Sequence, residues 1–304
     1  MQNNQPIKIY SFYEFISLAN LQQLKIKLFS FLKKEKFKGT IIISHEGMNG
    51  TISNENDNVN KLIIFLKEIL KKKIKLKTHF HSSHPFLRLR IKIKKEIVKL
   101  GEVNVKPDKS TGTFIKPDEW DKLLENPDVI NLDTRNFYES EIGTFENSVI
   151  TNTRNFTEFP KWVKKNHNLF KNKKIAMFCT GGIRCEKASS FLIKSGFKEI
   201  YQLDGGIISY LKETQNNNKK WKGECFVFDD RVSLKEDLSK GHYEQCFACR
   251  AAVSENDKKS DMYKKGISCP KCSKITSNKK KDGFKERTRQ MKIAKKKGIK
   301  HLGS

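Results

Sequence analysis

The chain has 304 residues, a formal net charge of +27 and 37% apolar residues. That length allows two or three domains with ordinary cores, and no apolar run approaches the roughly 18 residues of a membrane span. The polar start, Met1 to Pro6, holds neither the apolar stretch nor the basic cluster of a secretion signal. The charge excess favours polyanions, RNA first. A lysine-, asparagine- and isoleucine-rich composition from A/T-rich codons yields the same excess with no RNA partner, so the charge supports a nucleic-acid reading without carrying it. The seven cysteines are an odd number, partly in Cys-x-x-Cys pairs. That suits a reducing compartment, and the expected location is the cytoplasm, with no membrane association.

Residues 1–100 read as a compact α/β unit. Ile7–Phe12 is a strand, and Leu21, Leu24, Leu28 and Phe31 form a helical stripe. Gly39–Ser44 is a strand, and Asn49-Gly50 signals a hairpin turn before Thr51-Ile52. A second helical stripe runs through Leu62, Phe65, Leu66 and Ile69. Phe86–Ile93 alternates, with Leu87, Leu89, Ile91 and Ile93 on one face and Arg88, Arg90 and Lys92 on the other. The order β-α-β-β-α-β predicts a ferredoxin-like sandwich. The Arg88/Arg90 face can follow a phosphate backbone or be an ordinary solvated face. His79 and His81 share a strand face near His84, a metal-ligand pattern that lacks any carboxylate at matching spacing.

Residues 101–116 form a polar connector, and a third of the chain, 117–220, reads as a parallel α/β domain. Proline and acids from Pro117 open a helix. Val129–Leu132 is a strand ending at Asp133-Thr134-Arg135. Ile175–Phe178 is a short buried strand, closed by Cys179 and the loop Thr180-Gly181-Gly182-Ile183. Cys185, Ala188, Leu192 and Ser195 share one face of the helix that follows, which stops at Gly196. A strand, a Gly-rich loop and a helix N-terminus make an anion cradle. A cysteine there has its pKa lowered, and the thiolate is the nucleophile. Arg184 adds an always-charged fork for the same anion. Cys185, on the first helical turn, reads as a packing residue or a resolving thiol. Glu199–Leu203 is a further strand, and Gln215–Lys220 a hydrophilic linker.

Residues 221–304 are Cys-rich and basic. Cys246-x-x-Cys249 and Cys269-x-x-Cys272, with 19 residues between the pairs, have the spacing of a structural zinc site. The tail, Asn278–Lys300, is a basic helix candidate carrying Lys279, Lys280, Lys281, Arg287, Arg289 and Lys292. It reads as a solvated tail or an RNA-gripping arm. There is no flavin or nicotinamide Gly-rich fingerprint.

Cys179-x4-Arg184 resembles a rhodanese active loop; cysteine phosphatases have five residues between the two. The full string Cys-Thr-Gly-Gly-Ile-Arg-Cys-Glu-Lys-Ala is similar to that of bacterial tRNA uridine(34) hydroxylases. Ser44–Ile52, with His84-Pro85-Phe86, resembles the acylphosphatase-like domain of that family, which usually has a small residue or proline where His45 stands. Asp133-Thr-Arg-x-x-x-Glu139-x-x-x-Gly143 matches the acid-rich rhodanese motif, with Asp133 and Arg135 as a structural ion pair and Glu139 as a buttress of the loop. Asp204-Gly205-Gly206-Ile207 resembles the element lining a rhodanese mouth. The resemblance spans about residues 10 to 295. It implies an enzyme that forms 5-hydroxyuridine at the wobble position of tRNA from molecular oxygen, with Cys179 and Arg184 catalytic and tRNA as partner. A plain sulfurtransferase and a non-catalytic tRNA-binding protein are the alternatives. Protein partners and the mode of oxygen activation do not follow from the residues.

Overall fold

The structure, a computed structural model, describes residues 7–55, 58–72, 74–81, 85–214 and 220–298. The first unit runs β1 (Ile7–Phe15), α1 (Leu21–Lys34), β2 (Lys38–Ser44), β3 (Gly47–Asn54), α2 (Val59–Leu70), β4 (Lys77–His81) and β5 (Leu89–Ile93). Its sheet order is β4-β1-β3-β2-β5. β1 to β4 therefore make the expected β-α-β-β-α-β sandwich. β5 is an added edge strand, parallel to β2.

Two expectations are corrected here. The sixth element is β4, not the alternating stretch at Phe86–Ile93, and β5 begins only at Leu89. β4 is short and His-rich, and its one large apolar residue, Phe80, is exposed, so no apolar alternation announced it. The hairpin turn is His45-Glu46, with Ser44 opposite Gly47, and Asn49-Gly50 lies inside β3. Gly50 is there for contact: a Cβ at that position would stand 2.8 Å from the Phe12 ring.

The helices α1 and α2 cover one sheet face. Tyr10, Phe12, Ile41, Ile43, Met48 and Ile52 meet Leu28, Leu62 and Leu66 there. Period-2 alternation sends Ile9, Ser11 and Tyr13 to the other face. Lys77 sits opposite Ser11 and His79 opposite Ile9 on that helix-free face.

The second unit contains β6 (Thr113–Ile115), α3 (Pro117–Leu124), β7 (Val129–Asp133), α4 (Phe137–Ser140), β8 (Gly143–Phe145), β9 (Val149–Ile150), α5 (Phe159–Lys165), β10 (Lys174–Phe178), α6 (Ile183–Lys194), β11 (Ile200–Leu203) and α7 (Gly206–Glu213). Five strands form a parallel sheet in the order β6-β11-β10-β7-β9. β10 is central, which explains its unbroken apolar run. Ile175 and Met177 join Leu132, Phe159 and Leu192 on one side, and Ala176 and Phe178 join Trp120, Leu203 and Leu211 on the other.

The remaining elements are β12 (Trp221–Gly223), β13 (Cys225–Phe226), β14 (Ser233–Leu234), β15 (Glu244–Gln245), β16 (Ala252–Val253), α8 (Glu255–Lys258) and α9 (Asn278–Lys296). The expected boundary at 221 does not separate cores. β12 pairs with β8, and Trp221, Cys225, Val227 and Leu234 pack beside Trp120 and Phe178. Likewise Leu100 and Val105, at the edge of and inside the expected connector, join the core with Leu132 and Phe159. Composition changed at these points while apolar burial continued across them. The linker at 215–219 lies outside the described residues.

The first two units are locked by Lys187 of α6, 1% exposed. Its Nζ donates to both oxygens of Glu46 at 2.8 Å, to Glu96 Oε2 at 2.6 Å and to the Val98 carbonyl at 3.0 Å. A lysine this deep needs such pairing, because an unpaired buried charge is costly. Among the described residues, no helix is long and apolar enough to cross a membrane.

Candidate active site

β10 delivers Cys179 at its C-terminal end, and Gly182, at φ +99°, turns the chain into α6. That backbone lets the Gly182 N–H donate to Cys179 Sγ at 3.1 Å. Thr180 Oγ1 donates to the Phe226 carbonyl at 3.3 Å, and Ile183 opens the helix. Behind the loop, the first amides of α7 hold its carbonyls: Ile207 N–H to Cys179 O at 3.0 Å and Ile208 N–H to Thr180 O at 3.2 Å. This approach requires glycine at 206, where φ is +69° and a Cβ would lie 2.5 Å from Cys179 O.

Cys179 is fully buried. Burial opposes its ionisation, yet the thiol lies well below the ordinary cysteine range. The Cys185 thiol, the Arg184 guanidinium and the backbone N–H groups of Cys185 and Arg184 all favour the thiolate. Cys185, also fully buried, moves the other way: burial and then the neighbouring Cys179 charge push it well up. Its side chain therefore does not simply pack into the domain. It meets Cys179 on one side and Thr134 Oγ1, at 3.5 Å, on the other. The pair is set as one thiolate and one thiol.

Arg184 departs from the sequence reading in one respect. Its fork is engaged by Glu139, Nη1 to Oε1 at 2.6 Å and Nη2 to Oε2 at 2.7 Å, with a longer contact from Nη2 to Thr180 Oγ1 at 3.5 Å. Burial opposes its charge, and Glu139 more than offsets this and raises its pKa. The guanidinium therefore acts on the thiolate as a fixed charge, held by a carboxylate that is itself fully buried. Glu139 Oε1 also accepts the Asn136 N–H at 3.1 Å, capping α4. Arg135 and Asp133 form a fully buried pair at 2.6 Å, with Ser140 and Thr144 hydroxyls on the same carboxylate at 2.8 and 3.0 Å. Glu139 thus anchors Arg184 of the loop, while Asp133 and Arg135 tie the end of β7 to the α4–β8 segment.

Three neighbours escaped the sequence reading. Lys77 Nζ donates to the Gly181 and Gly205 carbonyls, at 2.5 and 2.6 Å. Tyr13 lays its hydroxyl against Gly182, 3.0 Å from where a Cβ would stand. Glu186 bonds that tyrosine, and burial raises its pKa to about 7. Alternation along β1 and β4 places Tyr13 and Lys77 on one face, but only the docked domains show that this face covers the loop. His79 shares it. Burial, then the Arg231 charge, lowers its pKa to about 4, and its Nε2 has no hydrogen-bond partner among the described residues. His84 lies outside the described residues.

Arg88 and Arg90 are exposed and not gathered at the thiol. Arg90 does lie on the helix-free face, in the cross-strand row Arg90, Thr40, Thr51, Ser11, Lys77. Four strand spacings put it about 19 Å from Lys77.

The four C-terminal cysteines converge, all sulfurs within 4.8 Å of one another. Cys246 and Cys272 sulfurs are 3.9 Å apart, Cys249 and Cys269 3.7 Å, Cys269 and Cys272 3.8 Å. A tetrahedral centre with metal–sulfur bonds of about 2.3 Å sets its sulfurs roughly 3.8 Å apart, so the residues fit zinc. The basic helix α9 is not a free arm at Arg287, whose Nη2 donates to the Phe247 and Gly266 carbonyls at 2.9 and 3.1 Å and latches the helix to this region. Arg289 pairs with Glu286 at 2.9 Å. Lys279, Lys280 and Lys292 remain exposed.

Residues 7–97 match the UPF0176 acylphosphatase-like domain, and residues 116–213 match the rhodanese-like domain. Among solved structures, a rhodanese-related protein of Thermoplasma volcanium is 24% identical, over 33% of this chain and 92% of its own, with a TM-score of 0.28. A rhodanese-like domain from Anabaena is 17% identical, over 37% and 80%, at 0.30. The Bacillus anthracis CoADR-RHD protein in its reduced form is 17% identical, over 56% and 28%, at 0.32. The chain therefore couples an N-terminal acylphosphatase-like domain to a rhodanese domain and a C-terminal cysteine cluster. The rhodanese domain, with its loop cysteine intact, supports an enzyme with a cysteine-based sulfurtransferase or redox-type role.

Proposed function

We propose that this chain is a tRNA-modifying enzyme that hydroxylates uridine 34 at C5, with molecular oxygen as co-substrate, an external two-electron donor that reduces the second oxygen atom to water, and Cys179 as its reacting group. The observation that carries the reading is the buried thiolate cradle of Cys179, roofed by a second domain. A rhodanese loop that only passed sulfur to a small acceptor has no need of that roof.

In this reading Cys179 supplies a thiolate nucleophile at neutral pH. Gly182 N–H and Arg184 stabilise negative charge at the sulfur, and Glu139 keeps the guanidinium from moving. Glu186, ionising near neutrality and bonded to Tyr13, can hold or release a proton beside the loop. The exposed Arg90 and the exposed lysines of α9 are suited to RNA phosphates. Zinc held by Cys246, Cys249, Cys269 and Cys272 would be structural, since four thiolates close its coordination.

The test is nucleoside mass spectrometry of tRNA from a deletion strain carrying each variant. The deletion should lack 5-hydroxyuridine, the wild-type gene should restore it, and a folded, tRNA-binding Cys179→Ser protein should not. Normal 5-hydroxyuridine with Cys179→Ser would sink the proposal. Thiocyanate formation from thiosulfate and cyanide, with no effect on tRNA, would favour the plain sulfurtransferase instead.

A further inference from the structure

The thiol loop is not completed within its own domain. Gly182 N–H, which donates to Cys179 Sγ, belongs to the peptide unit whose other end is the Gly181 carbonyl. That carbonyl accepts from Lys77 Nζ at 2.5 Å. A peptide unit is planar, so holding its oxygen fixes the direction of its N–H. An ammonium on the oxygen also polarises the unit and strengthens the N–H as a donor. The same ammonium bonds the Gly205 carbonyl at 2.6 Å and so ties together the two Gly-Gly turns, 181–182 and 205–206. Lys77 comes from edge strand β4 of the N-terminal sheet, more than 100 residues from the loop in sequence.

We propose that Lys77 is a positioning residue of the thiol site, one that orients and polarises the Gly181–Gly182 peptide and adds the second positive charge that keeps Cys179 ionised. The N-terminal domain is then a working part of the thiolate site as well as its cover. Lys77 is half-buried as a residue, and burial around the ammonium lowers its pKa to about 8. The charge that acts most strongly on it is that of Cys179, followed by Asp204. Around the pair stand Arg184 and Cys185 on α6, Asp204 before α7, Lys75 before β4, Tyr13 on β1, Glu186 on α6 and Cys225 on β13. Of these cations, Arg184 is already committed to Glu139 and the exposed Lys75 pairs with Asp204 at 3.2 Å, whereas Lys77 reaches the loop itself. The inference concerns thiol ionisation and holds whatever substrate the enzyme takes.

The experiment titrates the ultraviolet absorbance of the thiolate in the full-length protein, with Cys179→Ser as the blank. Lys77→Gln keeps an N–H donor for the carbonyls and removes the charge. It should raise the thiol titration by about one unit, a tenfold shift in ionisation, as expected for loss of a nearby opposite charge. Lys77→Arg should bring it back. An unchanged titration in folded Lys77→Gln overturns the proposal, because a purely structural lysine would lower the melting temperature and leave the thiol alone. If Lys77→Gln does not fold, the reciprocal measurement decides. By NMR of isotope-labelled lysine, Lys77 should titrate lower in Cys179→Ser than in wild type, since the thiolate no longer favours its charge. Equal titration in the two proteins overturns it.

Discussion

Cys179 and the four-cysteine cluster use one side chain in two ways. Around Cys179, a fixed guanidinium, backbone amides and one protonated thiol surround a single sulfur inside a core closed on both sheet faces. In the cluster, four sulfurs face one another and the apolar core around them is small. Its apolar group is Cys246, Val253, Cys269 and Cys272 with Ala248 and Tyr263 alongside. A cation beside one sulfur makes a nucleophile, whereas four convergent sulfurs make a ligand sphere. The first should therefore matter to chemistry and survive substitution as a fold. The second should matter to folding and be remote from the reaction.

The comparison is broken most directly at Cys179. Cys179→Ser should abolish 5-hydroxyuridine while circular dichroism and tRNA affinity stay near wild type. The corresponding change in the other site, Cys269→Ser, should do the reverse in kind. It should lower the metal content from about one zinc per chain, the stoichiometry of a single four-thiolate site, and expose 244–296 to protease. Metal-site binding supplies folding free energy directly, so a metal-free protein that keeps this region protected would erase the distinction.

The next effect concerns the loop's support. Glu139→Gln leaves the buried Arg184 without its carboxylate partner. Loss of one partner of a buried pair costs about 3–5 kcal/mol, to be read as a lowered denaturation midpoint, together with reduced activity. A variant as stable as wild type would show that Glu139 is dispensable to the cradle.

A pH profile sharpens the same contrast. With the Cys179 pKa depressed, the thiolate is present above that value and lost only as pH falls through it. Activity should stay level from pH 9 down past the ordinary thiol value of about 8.5. An acid limb near that ordinary value would mean that the amides and Arg184 do not hold the charge.

The smallest expected effect is at Cys185. Cys185→Ala removes one hydrogen bond to the thiolate, worth about 1.5–3 kcal/mol for a bond to a charged group, so the protein should fold and keep measurable activity, lowered by roughly ten- to a hundredfold. Complete loss with intact folding would instead assign Cys185 an essential resolving role.

Much of this was legible along the chain. The unbroken apolar run at Ile175–Phe178, followed by Cys179, Gly181 and Gly182, specifies strand, loop and helix because each residue type permits little else there. The paired Cys-x-x-Cys spacing announced a four-sulfur site for the same local reason. The errors came where a local signal had a distant cause. Asn49-Gly50 looks like a turn, yet Gly50 is small because Phe12 of β1 crosses it. β4, legible only as a strand face shared by His79 and His81, carries no apolar alternation, because its side toward the other domain holds Lys77 and His79. Arg184 was assigned to an incoming anion because nothing near it in sequence names Glu139, 45 residues away, as its partner.

The sequence by itself determined the long helices and most strands, the order of the domains and the strand–loop–helix setting of Cys179, since these depend on periodicity, turn chemistry and the spacing of a few residues within one loop. Only the tertiary structure decided which charges reach that thiol. Electrostatic control acts through space over a few ångströms. Glu139 comes within that range only once the parallel sheet is built, and Lys77 and Tyr13 only once the two domains are docked.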